Sequence, residues 1–86
     1  MKQLDKYRSR IDIIASILQA ASKKKNASIT QLTYGGQLSH RQIISHLQPL
    51  ITEKLLEHKD KTFSITTKGR DFLEIYNNLI KTLIIT

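Results

Sequence analysis

The stretch Gly35-Gly36-Gln37-Leu38-Ser39-His40-Arg41-Gln42 constrains the fold more than any other part of the chain. Ser39 and Gln42 have the spacing of a capping box. In such a box the Ser oxygen accepts the N–H of the third helical residue, and the Gln side chain reaches back to the Ser N–H. Leu38 before the cap and Ile43 after it are placed for a hydrophobic staple. A helix therefore starts at His40. Upstream, "SITQLTYGG" predicts a shorter helix, with Ser28 as N-cap, Ile29 and Leu32 toward a core, and Gly35 in the left-handed position beyond its end. The two glycines read as turn chemistry, and the stretch as a corner between two helices.

The rest of the chain supplies what surrounds that corner. Residues 8–22, "RSRIDIIASILQAAS", put Ile11, Ile14, Ile17, Leu18 and Ala21 at the i, i+3, i+4, i+7 spacing of one buried helical face. Asp12 suits the positive end of that helix. A polar loop, "SKKKNAS", follows. In the helix that starts at His40, Ile43, Leu47, Leu50 and Ile51 form an apolar stripe, and His40, Arg41, Ile44, Ser45 and Gln48 fall on the other side. Pro49 removes a hydrogen bond and crowds the carbonyl four residues back, so a kink or local break is expected there, with helix resuming to about Glu53. "LLEHKDKTFSIT" reads as two short strands around a polar turn at Lys59-Asp60-Lys61. From Thr66, the expected N-cap, the helical period returns. Gly69 in the first turn costs helix propensity, which implies close approach of another element. Phe72, Tyr76, Leu79 and Leu83 are spaced as a heptad seam, with Leu73, Ile80 and Ile84 beside it. That is more apolar surface than one small body can cover, so part of this helix is expected to face a second copy.

Size and charge narrow the classes further. Eighty-six residues make one small domain, read here as a body over residues 1–65 and a terminal helix over residues 66–86, packed as one unit. There is no cysteine, hence no disulfide framework and no thiolate metal site. The opening residues lack the apolar core of a signal peptide, and no apolar run is long enough to cross a bilayer. Lys and Arg number 14 against 7 Asp and Glu, a formal net charge of +7 that favours a polyanionic partner.

Helix, helix, turn, helix, short hairpin, long helix is the order of a winged helix-turn-helix, mainly α with a small β wing. The residues "YRSRIDIIASIL", "LTYGGQLSHRQIISHL" and "FSITTKGRDFLEIYNNL" resemble the small archaeal winged-helix transcriptional regulators that end in a dimerising coiled-coil helix. The resemblance runs from Tyr7 to Leu83. It implies that the third helix enters the DNA major groove, that the wing touches the backbone or minor groove, and that the last helix pairs with its counterpart. On this sequence it assigns Ser39, His40, Arg41, Gln42 and Ser45 to the head of the reading helix, Lys59 and Lys61 to the wing tip, and Phe72, Tyr76, Leu79 and Leu83 to the dimer seam. Pro49 and the short wing depart from the pattern.

Other chemistries find less support. His40 and His46 are six apart, on different helical faces, and no carboxylate joins them or His58 at ligand spacing, so no metal is expected. Gly35-Gly36 follows no strand and is not a phosphate cradle. Tyr34 and Tyr76 read as packing residues, His46 as half-buried. Lys23, Lys24 and Lys25 read equally well as phosphate contacts or as a solvated loop. No catalytic set, cofactor or small-molecule ligand is evident. The expected partners are double-stranded DNA and a second copy of the chain, away from membranes, in the cytoplasm at the nucleoid. The alternatives are a winged-helix module for protein contact and a DNA binder of architectural rather than sequence-specific kind.

Overall fold

The structure is a computed structural model that describes residues 10–85, with side chains through residue 83. Arg8 and Ser9, placed above in the first helix, lie outside the described residues, as does the side chain of Ile84. The described chain forms α1 (Arg10–Ser22), α2 (Ile29–Gly36), α3 (His40–Thr52), β1 (Leu56–Lys59), β2 (Thr62–Ile65) and α4 (Thr67–Ile85).

The helix α1 packs against α2, α3, α4 and β2 and forms the centre of the body. It buries Ile13, Ala15, Ile17, Leu18, Ala20 and Ala21. Ile17, Leu18 and Ala21 are buried as their spacing predicts, but Ile11 is 55% exposed and Ile14 only half-buried. The stripe turned because neighbours lie on several sides of α1. The helix buries a wide belt centred on Ile13 and Ile17, and Ile11 falls off its edge. Burying one Leu or Ile contributes about 1.5–3 kcal/mol. Ile17 and Leu18 of α1, Leu32 of α2, Ile43 and Leu50 of α3 and Leu56 of β1 are the largest fully buried side chains.

The two glycines at the corner do something other than turn the chain. Both lie within α2, and neither has a positive φ. A Cβ at Gly35 would sit 2.9 Å from the Cβ of Ala20, and one at Gly36 would sit 3.3 Å from the Ser16 carbonyl. They let α2 press onto α1. The left-handed residue is Gln37, at φ 54° and ψ 45°. Its N–H donates to the Tyr34 carbonyl at 3.3 Å and that of Leu38 to the Thr33 carbonyl at 3.2 Å, the paired bonds of a Schellman end. A left-handed Gln is strained relative to Gly, so the tight helix contact took precedence over the easier turn.

Each of the next two helices begins with a complete capping box. At Ser39, the Gln42 N–H donates to Ser39 Oγ at 3.1 Å and the Ser39 N–H to Gln42 Oε1 at 2.9 Å. Ser28 and Gln31 repeat the arrangement at 3.2 and 2.9 Å. Both staple residues, Leu38 and Ile43, are buried. The local break offered as one alternative at Pro49 does not occur: α3 runs as one helix through Pro49 to Thr52. Pro49 stands three residues from the helix end on the exposed side, and the Ser45 carbonyl it leaves without an N–H belongs to an exposed residue that water can reach.

β1 and β2 form an antiparallel hairpin pairing Leu56 with Ile65 and Lys59 with Thr62. Lys59 belongs to the strand, so the turn is Asp60-Lys61 alone, with Asp60 at φ 56°. Asp is one of the few side chains that tolerates this region. A contact the sequence did not suggest adds a third edge. Ala27, between α1 and α2, exchanges two backbone hydrogen bonds with Phe63 at 2.9 and 2.8 Å.

The base of the hairpin is tied to the start of α4. Thr66 Oγ1 accepts the Gly69 N–H at 3.0 Å, as the expected N-cap, and lies 2.6 Å from the Lys54 carbonyl to which it donates. The Thr66 N–H donates to the Leu55 carbonyl at 3.1 Å. A Cβ on Gly69 would meet that same carbonyl oxygen at 2.3 Å. The close approach read from Gly69 is therefore real, and its partner is the Leu55 backbone.

Candidate nucleic-acid interface

The Schellman end of α2 and the capping box of α3 fix the angle between the two helices and set which side of α3 faces outward. Ile43, Leu47 and Leu50 point into the core, Ile51 is half-buried, and His40, Arg41, Ile44, Ser45 and Gln48 are exposed. Ile44 is 48% exposed, an apolar side chain held on an otherwise polar face. The side chains at the head differ in freedom. Arg41 and His40 stand in solvent, whereas Ser39 Oγ and Gln42 Oε1 are engaged in the cap. Ser45 Oγ lies 3.1 Å from the Gln42 carbonyl. His46 is half-buried, and its Nδ1, 2.9 Å from that carbonyl, can serve there only as donor.

Tyr34, in the last turn of α2, is 80% exposed and so is not the packing residue its type suggested. It belongs to the outward side of the corner, and sequence reasoning missed it. A second missed signal lies in plain sight in the sequence. No Asp or Glu occurs between Asp12 and Glu53, so α2, the corner and all of α3 carry no carboxylate. A phosphate approaching α2, the corner or α3 meets no like charge on those elements themselves.

The hairpin packs on α3 through β1. Lys59, at the end of β1, and Lys61, in the turn, are exposed with Asp60 between them. The ring of His58 stacks on Phe63 with centroids 4.5 Å apart and planes 11° from parallel, which stiffens the hairpin. Among the described residues no group of three or more His, Cys, Asp or Glu could hold a metal ion. Among those residues, too, no helix is long and apolar enough to cross a membrane.

The four residues read as a seam on α4 divide between two sides. Phe72 and Tyr76 pack against the protein's own core, and the Tyr76 hydroxyl donates to Asp12 Oδ1. Leu79 and Leu83 are 58% and 71% exposed, joined by Ile75 at 61%. The open side of α1 takes the first half of the predicted seam. The outward stripe is Ile75, Leu79 and Leu83.

A sequence model of the winged helix-turn-helix matches residues 7–83. The chain belongs to the winged helix-turn-helix family. No curated protein matches it in sequence. Solved structures share the winged-helix fold. Sso10a-2, a DNA-binding protein from Sulfolobus solfataricus, superposes with a TM-score of 0.74 at 22% identity, over 87% of this chain and 81% of its own. A Listeria innocua protein of unknown function gives 0.70 at 14% identity, over 95% of this chain and 60% of its own. The multiple antibiotic-resistance repressor (MarR) of Listeria monocytogenes gives 0.64 at 15%, over 95% of this chain and 64% of its own. The winged-helix chain thus spans less than two thirds of either Listeria protein. In the family's terms α2 and α3 are the helix-turn-helix, and β1 and β2 are the wing.

Proposed function

We propose that this winged-helix protein is a dimeric regulator of transcription, of the archaeal type, that binds duplex DNA with α3 in the major groove and the wing on the backbone. The outward face of α3 carries the reading. It joins an exposed Arg41 to Ile44, Ser45 and Gln48 within a stretch free of carboxylates. Arg41 has the planar fork that matches the two acceptors of guanine, and Ile44 suits the methyl group of thymine. His40 and Tyr34 flank the head and suit phosphate oxygens, as do Lys59 and Lys61 on the wing. The exposed Ile75, Leu79 and Leu83 are the surface through which two copies join. That one structural neighbour is a DNA-binding protein and another a repressor supports the same reading. The protein acts in the cytoplasm, on the nucleoid.

The test starts from a preferred duplex selected out of random sequence. Arg41→Ala should cost about 1–3 kcal/mol on that duplex and less on an arbitrary one. Arg41→Lys should recover little of the loss, because a point charge does not reproduce the fork. Equal loss on both duplexes would make Arg41 a phosphate contact that reads no base. Full retention on both would remove α3 as the DNA surface and leave a protein-contact module as the better account.

A further inference from the structure

The loop between α1 and α2 presents Lys23, Lys24, Lys25 and Asn26, all exposed, and it is a built element rather than a loose one. The Lys23 and Lys24 N–H groups continue the end of α1 with bonds of 3.3 Å to the Ala20 and Ala21 carbonyls. The Ala27–Phe63 bridge then ties the loop's other end to β2. Ser64 Oγ lies 3.0 Å from the Lys25 carbonyl and 2.9 Å from Asn26 Oδ1, which holds the lysine run beside the strand. Where the loop leaves α1, Ser22 lines a shallow groove together with Arg70 and Glu74 of α4. Lys23, Lys24 and Lys25 thus follow directly on the residue that shares this groove with Arg70, while Glu74, Asp71 and Glu57, the register partner of Ser64, are the exposed carboxylates on the neighbouring elements.

Two internal rulers relate this patch to the proposed reading surface. The eight-residue α2 separates the loop from the head of α3, about 12 Å at the helical rise. The antiparallel register sets the loop beside Ser64, three residues or about 10 Å up β2 from the wing tip. The loop lies at the far end of both elements from the parts that would touch the first duplex. We infer that Lys23, Lys24, Lys25 and Arg70 form a second cationic surface, one that holds the phosphate backbone of a second DNA duplex while α3 and the wing hold the first. The inference rests on the reading of α3 as the first DNA surface. A duplex fits better than a lipid surface because residues 22–26 offer no apolar side chain to insert. Without a helix or amide fork aimed at base edges, contact here is with phosphate and is indifferent to sequence.

The experiment is capture of one duplex by another. Biotinylated duplex is saturated with the full chain, and a fluorescent duplex of different sequence is then recovered on streptavidin beads. The triple variant Lys23→Gln/Lys24→Gln/Lys25→Gln should lose at least about ten-fold in capture. Its affinity for the first duplex, the salt slope of that binding and its thermal midpoint should stay those of the wild type. With Leu79→Lys raised to a concentration that saturates the first duplex despite its weaker binding, capture should persist, because both surfaces belong to one protomer; its loss there would overturn the inference and assign bridging to a dimer's two α3 faces. Unchanged capture by the triple variant would leave the lysines solvated, and weakened binding to the first duplex would put the loop inside the first footprint. Either result overturns the proposal, as would loop-dependent binding to anionic vesicles without capture. Arg41→Ala/Lys59→Ala/Lys61→Ala tests the underlying reading separately. Full affinity of that variant for the first duplex would refute the α3 surface, whatever the loop does.

Discussion

Replacing Gly69 by Ala sets two large effects against each other. In the first turn of a helix the change gains up to about 1 kcal/mol of propensity. The structure opposes it. The new Cβ would stand 2.3 Å from the Leu55 carbonyl oxygen and 2.8 Å from Ile65 Cγ1, so α4 or the strand base must move by about an ångström to restore ordinary contact. The Leu55 oxygen is not free to yield, because it accepts the Thr66 N–H at 3.1 Å. Moving it gives up about 1 kcal/mol of hydrogen bonding, and forcing a methyl into a filled site costs about 1–3 kcal/mol more. The net expectation is a loss of about 1–3 kcal/mol, or a fall of at least about 5 °C in Tm for a domain of this size. Thermal and urea unfolding followed by circular dichroism measure both quantities. A Tm equal to or above that of the wild type would mean that propensity prevails and that the approach of Leu55 to Gly69 is looser than described.

Thr66→Val keeps the shape but removes the oxygen that caps α4 and bonds the Lys54 carbonyl; it should cost about 1–2 kcal/mol by urea unfolding, and a loss below a few tenths would show the cap to be dispensable. Lys59→Ala/Lys61→Ala should weaken binding to all duplexes alike and flatten the salt dependence by roughly one unit for each phosphate no longer neutralised; a wild-type slope would return both lysines to solvent. Leu79→Lys should put a charge into the exposed stripe of α4, giving a monomer that binds DNA more weakly. Sedimentation at about 10 µM reads that change, and wild-type protein already monomeric there would refute the dimer.

The parts of the fold written in short-range signals were legible. Ser39 and Gln42 announced the start of α3, Thr66 and Gly69 the start of α4, and the alternating run before Thr66 the hairpin. Ser28 and Gln31 carry the same box signature, which could have been read in full from the same rule. Other parts depend on what lies across the core. Nothing local in Ala27 signals a bridge to Phe63. Ile11 and Ile13 are the same residue type two apart on one helix, and only the placement of α2, α4 and β2 around α1 decides which is covered. The same holds for α4, where the spacing marked Phe72, Tyr76, Leu79 and Leu83 as one row while packing on α1 claimed the first two. At the candidate interface, position alone put Arg41, Ser45 and the wing lysines on the outward side, and all four are exposed. Tyr34 was misjudged because an aromatic at a helix end gives no hint of its exposure. The empty run of carboxylates from residue 13 to 52 was open to simple counting.

The Thr66 junction makes the wing and α4 mechanically one piece. Between Lys54 and Gly69 the chain doubles back on itself through bonds that leave no free pivot. α4 is 19 residues long, so it reaches about 28 Å from that junction. A tilt of about 5° at the wing base then displaces the far tip by about 2.5 Å, roughly half a helical turn. Whatever sits against the distal part of α4 is thereby sensitive to the seating of the hairpin, with a mechanical advantage set by the length of the rod. Conversely, clamping the tip restricts the angles at which the hairpin can rest on a surface.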